Sequence, residues 1–253
     1  MFWDITTWFV IFVRFSAYLL LFPVTSVQNI PVMVRLGFSA LCAFLILPLV
    51  PAVSLEAASV HQLFRLFFVE ASTGLTLGLI ARFLFYAVEI AGSIISTETG
   101  LMLSSNFNPI TSSTGTAPGV LLHWMTIILL LTLNLHHWLI IGLQRSYEII
   151  PAGQAHLTEI LLQNVVGRAS SMFIIALQMT APILASSFLV TLIFSLLGRA
   201  VPQMNVFSES FPARTIAGLA VFGLTCNLLA QHIVNHLNRI PEDFIRVAQM
   251  LAA

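Results

Sequence analysis

Hydrophobic positions fall into six long runs separated by short polar links, and each run predicts a helix of membrane type. The first runs from Ile5 to Phe22, interrupted by Arg14, and ends at Pro23. The second runs from Val32 to Val50, with Pro31 suited to its start and Pro48 and Pro51 breaking its end. The link Ser54–Gln62 follows. The third run, Leu63 to about Leu103, has no proline, and as one helix it would be roughly 60 Å long, about twice the hydrocarbon thickness of a bilayer. It carries Arg65, Glu70, Arg82, Glu89 and Glu98, so it either breaks near Gly92 or belongs to an assembly not fitted to a flat bilayer. Small residues recur in it every four positions, at Gly74 and Gly78 and again at Gly92, Ser96 and Gly100, which predicts close backbone approach by neighbouring helices.

A polar stretch, Glu98 to Gly119, separates the third run from the fourth. It is rich in Ser, Thr, Gly, Asn and Pro, and Glu98 is its one charge. Irregular backbone between membrane helices must reach water, pack in protein or line a cavity. The stretch is therefore either an ordinary exposed loop or a gating loop at the mouth of a conduit. The fourth run, Val120 to Leu143, contains His123, Asn134, His136 and His137. A wetter connection, Gln144 to Ser171, leads to the fifth run, Met172 to Leu197, with a kink expected at Pro182. A compact loop is expected from Gly198 to Arg214, then a sixth run, Ile216 to about Leu237, and an amphipathic helix after Pro241.

Composition agrees with a membrane chain. Of 253 residues, 58% are hydrophobic and 8% charged, where soluble domains carry about a quarter charged. All ten basic residues are Arg and ten acids balance them, which gives no basic excess for nucleic acid. The arginines flanking the runs divide too evenly between the two sides to set an orientation. Asp4 stands where a signal peptide would be basic, so the first run is read as a retained helix.

Catalytic chemistry finds little support. His232 and His236 stand four apart on one helical face, but no acid or cysteine completes a metal site, and a structural or interface role fits them better. His136 and His137 are adjacent and are expected on different faces. Cys42 and Cys226 lie inside apolar runs and read as packing residues. No catalytic residue, cofactor-binding residue or metal ligand is assigned. Arg14, Glu70, Arg82 and Glu89 lie within apolar runs, where an unpaired charge costs several kcal/mol. Either they pair to hold helices together or they serve a conduit, and one chain of six helices looks too small to pair them all.

Three blocks carry a family resemblance: Leu196–Leu219 (LLGRAVPQMNVFSESFPARTIAGL), Thr132–Gly153 (TLNLHHWLIIGLQRSYEIIPAG) and Gly100–Met125 (GLMLSSNFNPITSSTGTAPGVLLHWM). The chain resembles the FliR family, an export-gate subunit of the bacterial flagellar type III secretion system, over nearly its whole length. Arg199, Pro202, Gln203, Phe207, Phe211 and Pro212 match in the first block, and Asn134, His136, Trp138, Leu139 and Pro151 in the second. Three positions depart from the family pattern: Leu135 and Ser210 where Gly is frequent, and Asn108 where Asp is frequent. The RAVPQMNVF block favours the flagellar branch over the injectisome sibling.

The resemblance implies an all-α membrane protein of about six long apolar helices arranged as hairpins. Residues 1–171 would form a FliP-like part, and residues 172–253 a FliQ-like hairpin with an amphipathic tail. It implies a non-enzymatic component of the export channel for unfolded flagellar proteins, in the bacterial inner membrane and flagellar basal body. The partners implied are FliP-like and FliQ-like membrane subunits, an FlhB-type switch protein and unfolded export substrates. A plug loop is implied at Ser104, Ser105, Asn106, Phe107, Asn108, Pro109, Ile110, Thr111, Gly115 and Gly119. A cytoplasmic docking loop is implied at Arg199, Pro202, Gln203, Asn205, Phe207, Phe211 and Pro212. The alternative is a small-molecule secondary transporter, which usually shows interrupted helices in matching halves. Pro182 has no convincing counterpart in the first half.

Overall fold

A computed structural model describes residues 5–23, 30–53, 60–101 and 116–252. The described residues form an all-α membrane protein. Its helices are α1 (Ile5–Leu21), α2 (Val32–Ile46, extended by a 3₁₀ turn at Leu47–Leu49), α3 (Val60–Glu98) and α4 (Ala117–Thr132). Then follow α5 (Leu135–Ile149), α6 (Glu159–Ala200), α7 (Val206–Leu237) and α8 (Ile240–Ala252). Among the described residues, four segments are long and apolar enough to cross a membrane, or five if the bent pair α4–α5 counts as one.

Local chemistry explains the boundaries. Pro31 precedes α2 with φ −56°, ψ 141°, and Pro48 lies in the 3₁₀ turn that ends it. α3 does not break at Gly92: it runs unbroken for 39 residues, about 58 Å. Gly100, at φ +74°, ends it in the left-handed conformation that glycine adopts freely. The fourth apolar run is two helices, not one, bent by 69° where Leu133 and Asn134 form the break. Asn134 takes φ 56°, ψ 21°, a conformation that asparagine tolerates better than most side chains.

Two further expectations are corrected. The connection Gln144–Ser171 is mostly helical, since α5 reaches Ile149 and α6 begins at Glu159, whose acid suits a helix N-terminus. The expected loop Gly198–Arg214 shrinks to residues 201–205. Asn205 caps α7, accepting from Ser208 N at its Oδ1 (3.4 Å) and from Ser208 Oγ at its carbonyl (3.1 Å), and Glu209 adds an acid to the first turn. Those contacts start the helix early enough to place Pro212 inside it. Pro182 likewise lies inside α6, which continues through it for 42 residues. The amphipathic tail helix is present as α8.

The chain divides into two compact units. The first comprises 1–84, 130–169 and 237–253, and the second 85–129 and 170–236. In the first, α3 lies on α1 through its glycine row: a Cβ on Gly74 would run into the Arg14 carbonyl oxygen, and one on Gly78 would sit 2.8 Å from that of Tyr18. α8 packs against α5, with the Phe244 ring over Gly142 and edge-on to Tyr18. In the second unit, α3 meets the start of α4, where a Cβ on Gly92 would run into the Gly119 Cα. Both small-residue rows therefore produce the close approach that their spacing predicts.

Candidate functional site

In the first unit, the glycine contact of α3 with α1 brings Glu70, one turn before Gly74, to the guanidinium of Arg14. Both side chains are fully buried. Arg14 Nε donates to Glu70 Oε2 (2.7 Å) and Nη2 to Oε1 (3.0 Å). Nη1 donates to Ser146 Oγ (3.1 Å), and both Nη atoms donate to the Ile150 carbonyl (3.3 and 3.2 Å). The five N–H groups of the guanidinium are thus all engaged. The Tyr147 ring covers the guanidinium carbon at 3.8 Å, and Gly153 N donates to Glu70 Oε1 (2.8 Å). Gly153 sits at φ +76° with the Leu66 side chain where a Cβ would stand, so the turn after α5 is shaped to deliver that N–H. This cluster ties α1, α3, α5 and the 150–153 turn together.

The expectation that the apolar-run charges outnumber the partners available in one chain is overturned for Arg14 and Glu70. The pairing is fully buried and complete, so the two groups act as an internal clasp. Glu89 also has a neighbour, His123 Nδ1 at 3.9 Å, with the carboxylate about half exposed. Arg82 is engaged as well.

In the second unit, the two described ends of the polar stretch are both anchored. At the end of α3, Glu98 accepts from Ser187 Oγ of α6, and the Thr99 carbonyl accepts from Thr215 Oγ1 of α7 (2.7 Å). The Phe211 ring lies against Gly100, and Thr99 fills the space beside Gly218. At the start of α4, Gly119 is held on Gly92 of α3. Of the sequence-predicted plug residues, Ser104, Ser105, Asn106, Phe107, Asn108, Pro109, Ile110, Thr111 and Gly115 lie outside the described residues. Gly119 lies inside α4, so the helix starts before the expected end of the loop, with Pro118 in its first turn where no N–H is required.

The predicted docking residues divide. Arg199 is in the last turn of α6, favourably placed for the helix dipole. Pro202 and Gln203 are exposed in the 201–205 link, and Asn205 is the α7 cap. Phe207, Phe211 and Pro212 belong to α7. Phe211 turns to Gly100, so one residue of this group joins the anchor of the polar stretch. Ser187, Thr215 and Gly218 were not singled out in the sequence. Their only signal is a hydroxyl or a glycine within an apolar helix, which is common.

Neither histidine pair forms a metal centre among the described residues, and no group of three or more His, Cys, Asp or Glu side chains converges there. His236 Nδ1 lies 2.9 Å from the His232 carbonyl, and the two rings are 4.6 Å apart. The His136 and His137 rings lie 4.0 Å apart in the first turn of α5. Cys42 is buried and Cys226 partly so, and both are free thiols.

Comparison with known proteins bears on this arrangement. A family described as "Bacterial export proteins, family 1" matches residues 5–240. The chain is similar to the flagellar biosynthetic protein FliR of Bacillus subtilis (strain 168), 34% identical over 240 residues, covering 93% of this chain and 92% of the relative. It is 32% identical over 212 residues to the protein of that name from Buchnera aphidicola subsp. Schizaphis graminum (strain Sg), covering 83% and 81%. With that from Escherichia coli (strain K12) it shares 26% identity over 226 residues, covering 88% and 86%.

Proposed function

Because this chain belongs to the bacterial export proteins of family 1, and within them to the FliR family, we propose that it is a non-enzymatic subunit of the flagellar export gate, passing unfolded flagellar proteins across the bacterial inner membrane. The observation that carries the reading is the near end-to-end match to flagellar biosynthetic relatives, combined with at least four membrane-length apolar segments. The secondary-transporter alternative has no such support. In this reading residues 1–171 are the FliP-like part and residues 172–253 the FliQ-like hairpin with its tail. FliP-like and FliQ-like subunits complete the channel, and an FlhB-type switch protein docks at the link around Pro202 and Gln203.

Ser104 to Gly119 is then the plug. Its hydroxyls can exchange partners with water or backbone at low cost, and its glycines and prolines oppose a fixed helix. It carries no charge that would lock it in place. Its described ends support the role. The end that leaves α3 is held to α6 and α7 at Glu98 and Thr99, and the end that enters α4 is held to Gly92 of α3. A segment anchored at both ends can move without detaching. A closed state that a substrate can open wins by a few kcal/mol.

The test is deletion of Asn106–Gly115 in the chain expressed with its native operon partners. The complex is expected to assemble but to pass ions in a planar-bilayer conductance assay. A deleted complex as tight as the wild type would remove the plug assignment.

A further inference from the structure

The apolar residues of α8 follow the helical repeat. Ile240, Phe244, Val247, Ala248 and Leu251 form one face and are buried, while Glu242, Ile245, Arg246 and Gln249 lie opposite and are exposed. That face and its flanks reach α1, α5, α6 and the turn between α5 and α6, all within the first unit. The Phe244 ring lies against Gly142 of α5 and edge-on to Tyr18 of α1, one turn after Arg14. Asp243 accepts a forked bond from Arg168 of α6, at 2.7 and 3.0 Å. Asn164 Oδ1 accepts from Arg168 Nε (2.7 Å) and so orients the guanidinium. In the last turn of α8, the Leu251 carbonyl accepts from His156 N (2.9 Å).

The turn between α5 and α6, residues 150–158, is therefore held from two sides. Its inner side supplies the Ile150 carbonyl to Arg14 and the Gly153 N–H to Glu70. Its outer side is tied to α8 at His156. Gly153 and His156 are three residues apart, and Gln154 N donates to the Pro151 carbonyl (3.1 Å) within the same turn. Glycine loses more conformational freedom than any other residue when it is fixed. With His156 already fixed by α8, little of that cost remains for the Gly153 bond to overcome, so each contact strengthens the other. α8 has 13 residues, and a helix of that length is marginal in water without docking. Its folding and its docking are one event, so it is either seated or undone.

We propose that α8 is a strap that sets the buried clasp. Its seating fixes the 150–158 turn, and the turn then presents the Ile150 carbonyl and the Gly153 N–H to Arg14 and Glu70. Asp243, Phe244 and Leu251 are positioning residues that act on the charge pair through the turn. A buried ion pair holds only while its remaining protons and lone pairs are satisfied. Unseating α8 therefore loosens the junction of α1, α3 and α5 as well as its own contacts. The strap lies within this chain and does not depend on the export reading.

The test is hydrogen–deuterium exchange read at single residues, on the tagged chain expressed and isolated with its native operon partners. Phe244→Ala takes the ring from Gly142 and Tyr18. The amides of both Gly153 and His156 are expected to exchange roughly tenfold faster than in the wild type. Ile245→Ala, on the exposed face of α8, is expected to leave both within about twofold. Faster exchange at His156 with Gly153 unchanged would overturn the proposal, as would no change at either amide. Asp243→Asn perturbs α8 more gently and replaces Phe244→Ala if that variant does not accumulate. The same two amides are expected to quicken together, and the same contrary results would overturn the proposal. A second arm compares the midpoint temperatures of the α8 variant, Glu70→Ala and the two combined. The combined variant is expected to lose less than the sum of the separate losses, because both changes act on one turn. Additive losses would overturn the proposal.

Discussion

Replacing Glu70 with alanine removes the carboxylate from the buried cluster and leaves Arg14 inside it. The arginine loses both bonds of its fork, at 2.7 and 3.0 Å, and keeps only Ser146 and the Ile150 carbonyl. Gly153 N loses its acceptor as well. Bulk water does not reach either group, since Arg14 and Glu70 are both fully buried. Breaking one side of such a pair costs ~3–5 kcal/mol, because an uncompensated charge remains in an apolar interior. For a chain of this size that corresponds to a fall in midpoint temperature of roughly 10 °C. Glu70→Gln is expected to cost nearly as much. Whichever way the amide is turned, its NH2 group faces a donor of Arg14. Glu89→Gln supplies the control, since its carboxylate is about half exposed beside His123, and a change there is worth ~1 kcal/mol or less. The assay is fluorescence-detected gel filtration after a temperature series, with the chain tagged and expressed with its partners. A Glu70→Ala protein that melts within about 2 °C of wild type, or no lower than Glu89→Gln, would refute the clasp.

Three further outcomes rest on the same geometry. Gly92→Leu is expected to disrupt the α3–α4 contact by more than ~2 kcal/mol, since the added Cβ meets the Gly119 backbone, whereas Gly37→Ala, with open space around it, should change stability by less than ~1 kcal/mol; the thermal series above reads both. Ser187→Ala with Thr215→Val removes the two hydroxyl bonds that hold Glu98 and Thr99, at about 1 kcal/mol each, and should raise the closed-state conductance without loss of assembly; unchanged conductance would mean that these bonds do not hold the closed position. Gln203→Ala with Phe207→Ala should reduce swimming in soft agar while the complex stays intact, and normal swimming or loss of the complex would go against docking at this link.

Much of the helical framework can be read from the chain because its signals are local. Pro31 and Pro48 mark the ends of α2, and the glycine spacing of α3 announces its close contacts. Three features are less accessible, each for a physical reason. The Arg14–Glu70 pair joins residues 56 apart in sequence, and no periodicity reports which buried charge meets which. The break at Asn134 depends on one left-handed residue inside an apolar run, where hydropathy is uniform. The early start of α7 depends on the cap at Asn205, which competes with two prolines that read as loop. At the polar stretch, the composition points to a special segment, but its anchors, Ser187 and Thr215, lie 89 and 116 residues away from their partners and carry no pattern of their own.

If this chain works as one subunit of a gate built from unlike membrane proteins, its native state is a hetero-oligomer. The most direct test is native mass measurement of the complex isolated through a tag on this chain from membranes of the source cell. The expected result is a single assembly far heavier than 27.8 kDa, which dissociates into this chain and at least two different smaller membrane subunits. A stable particle with the mass of the chain alone, or of whole-number multiples of it, would contradict the claim.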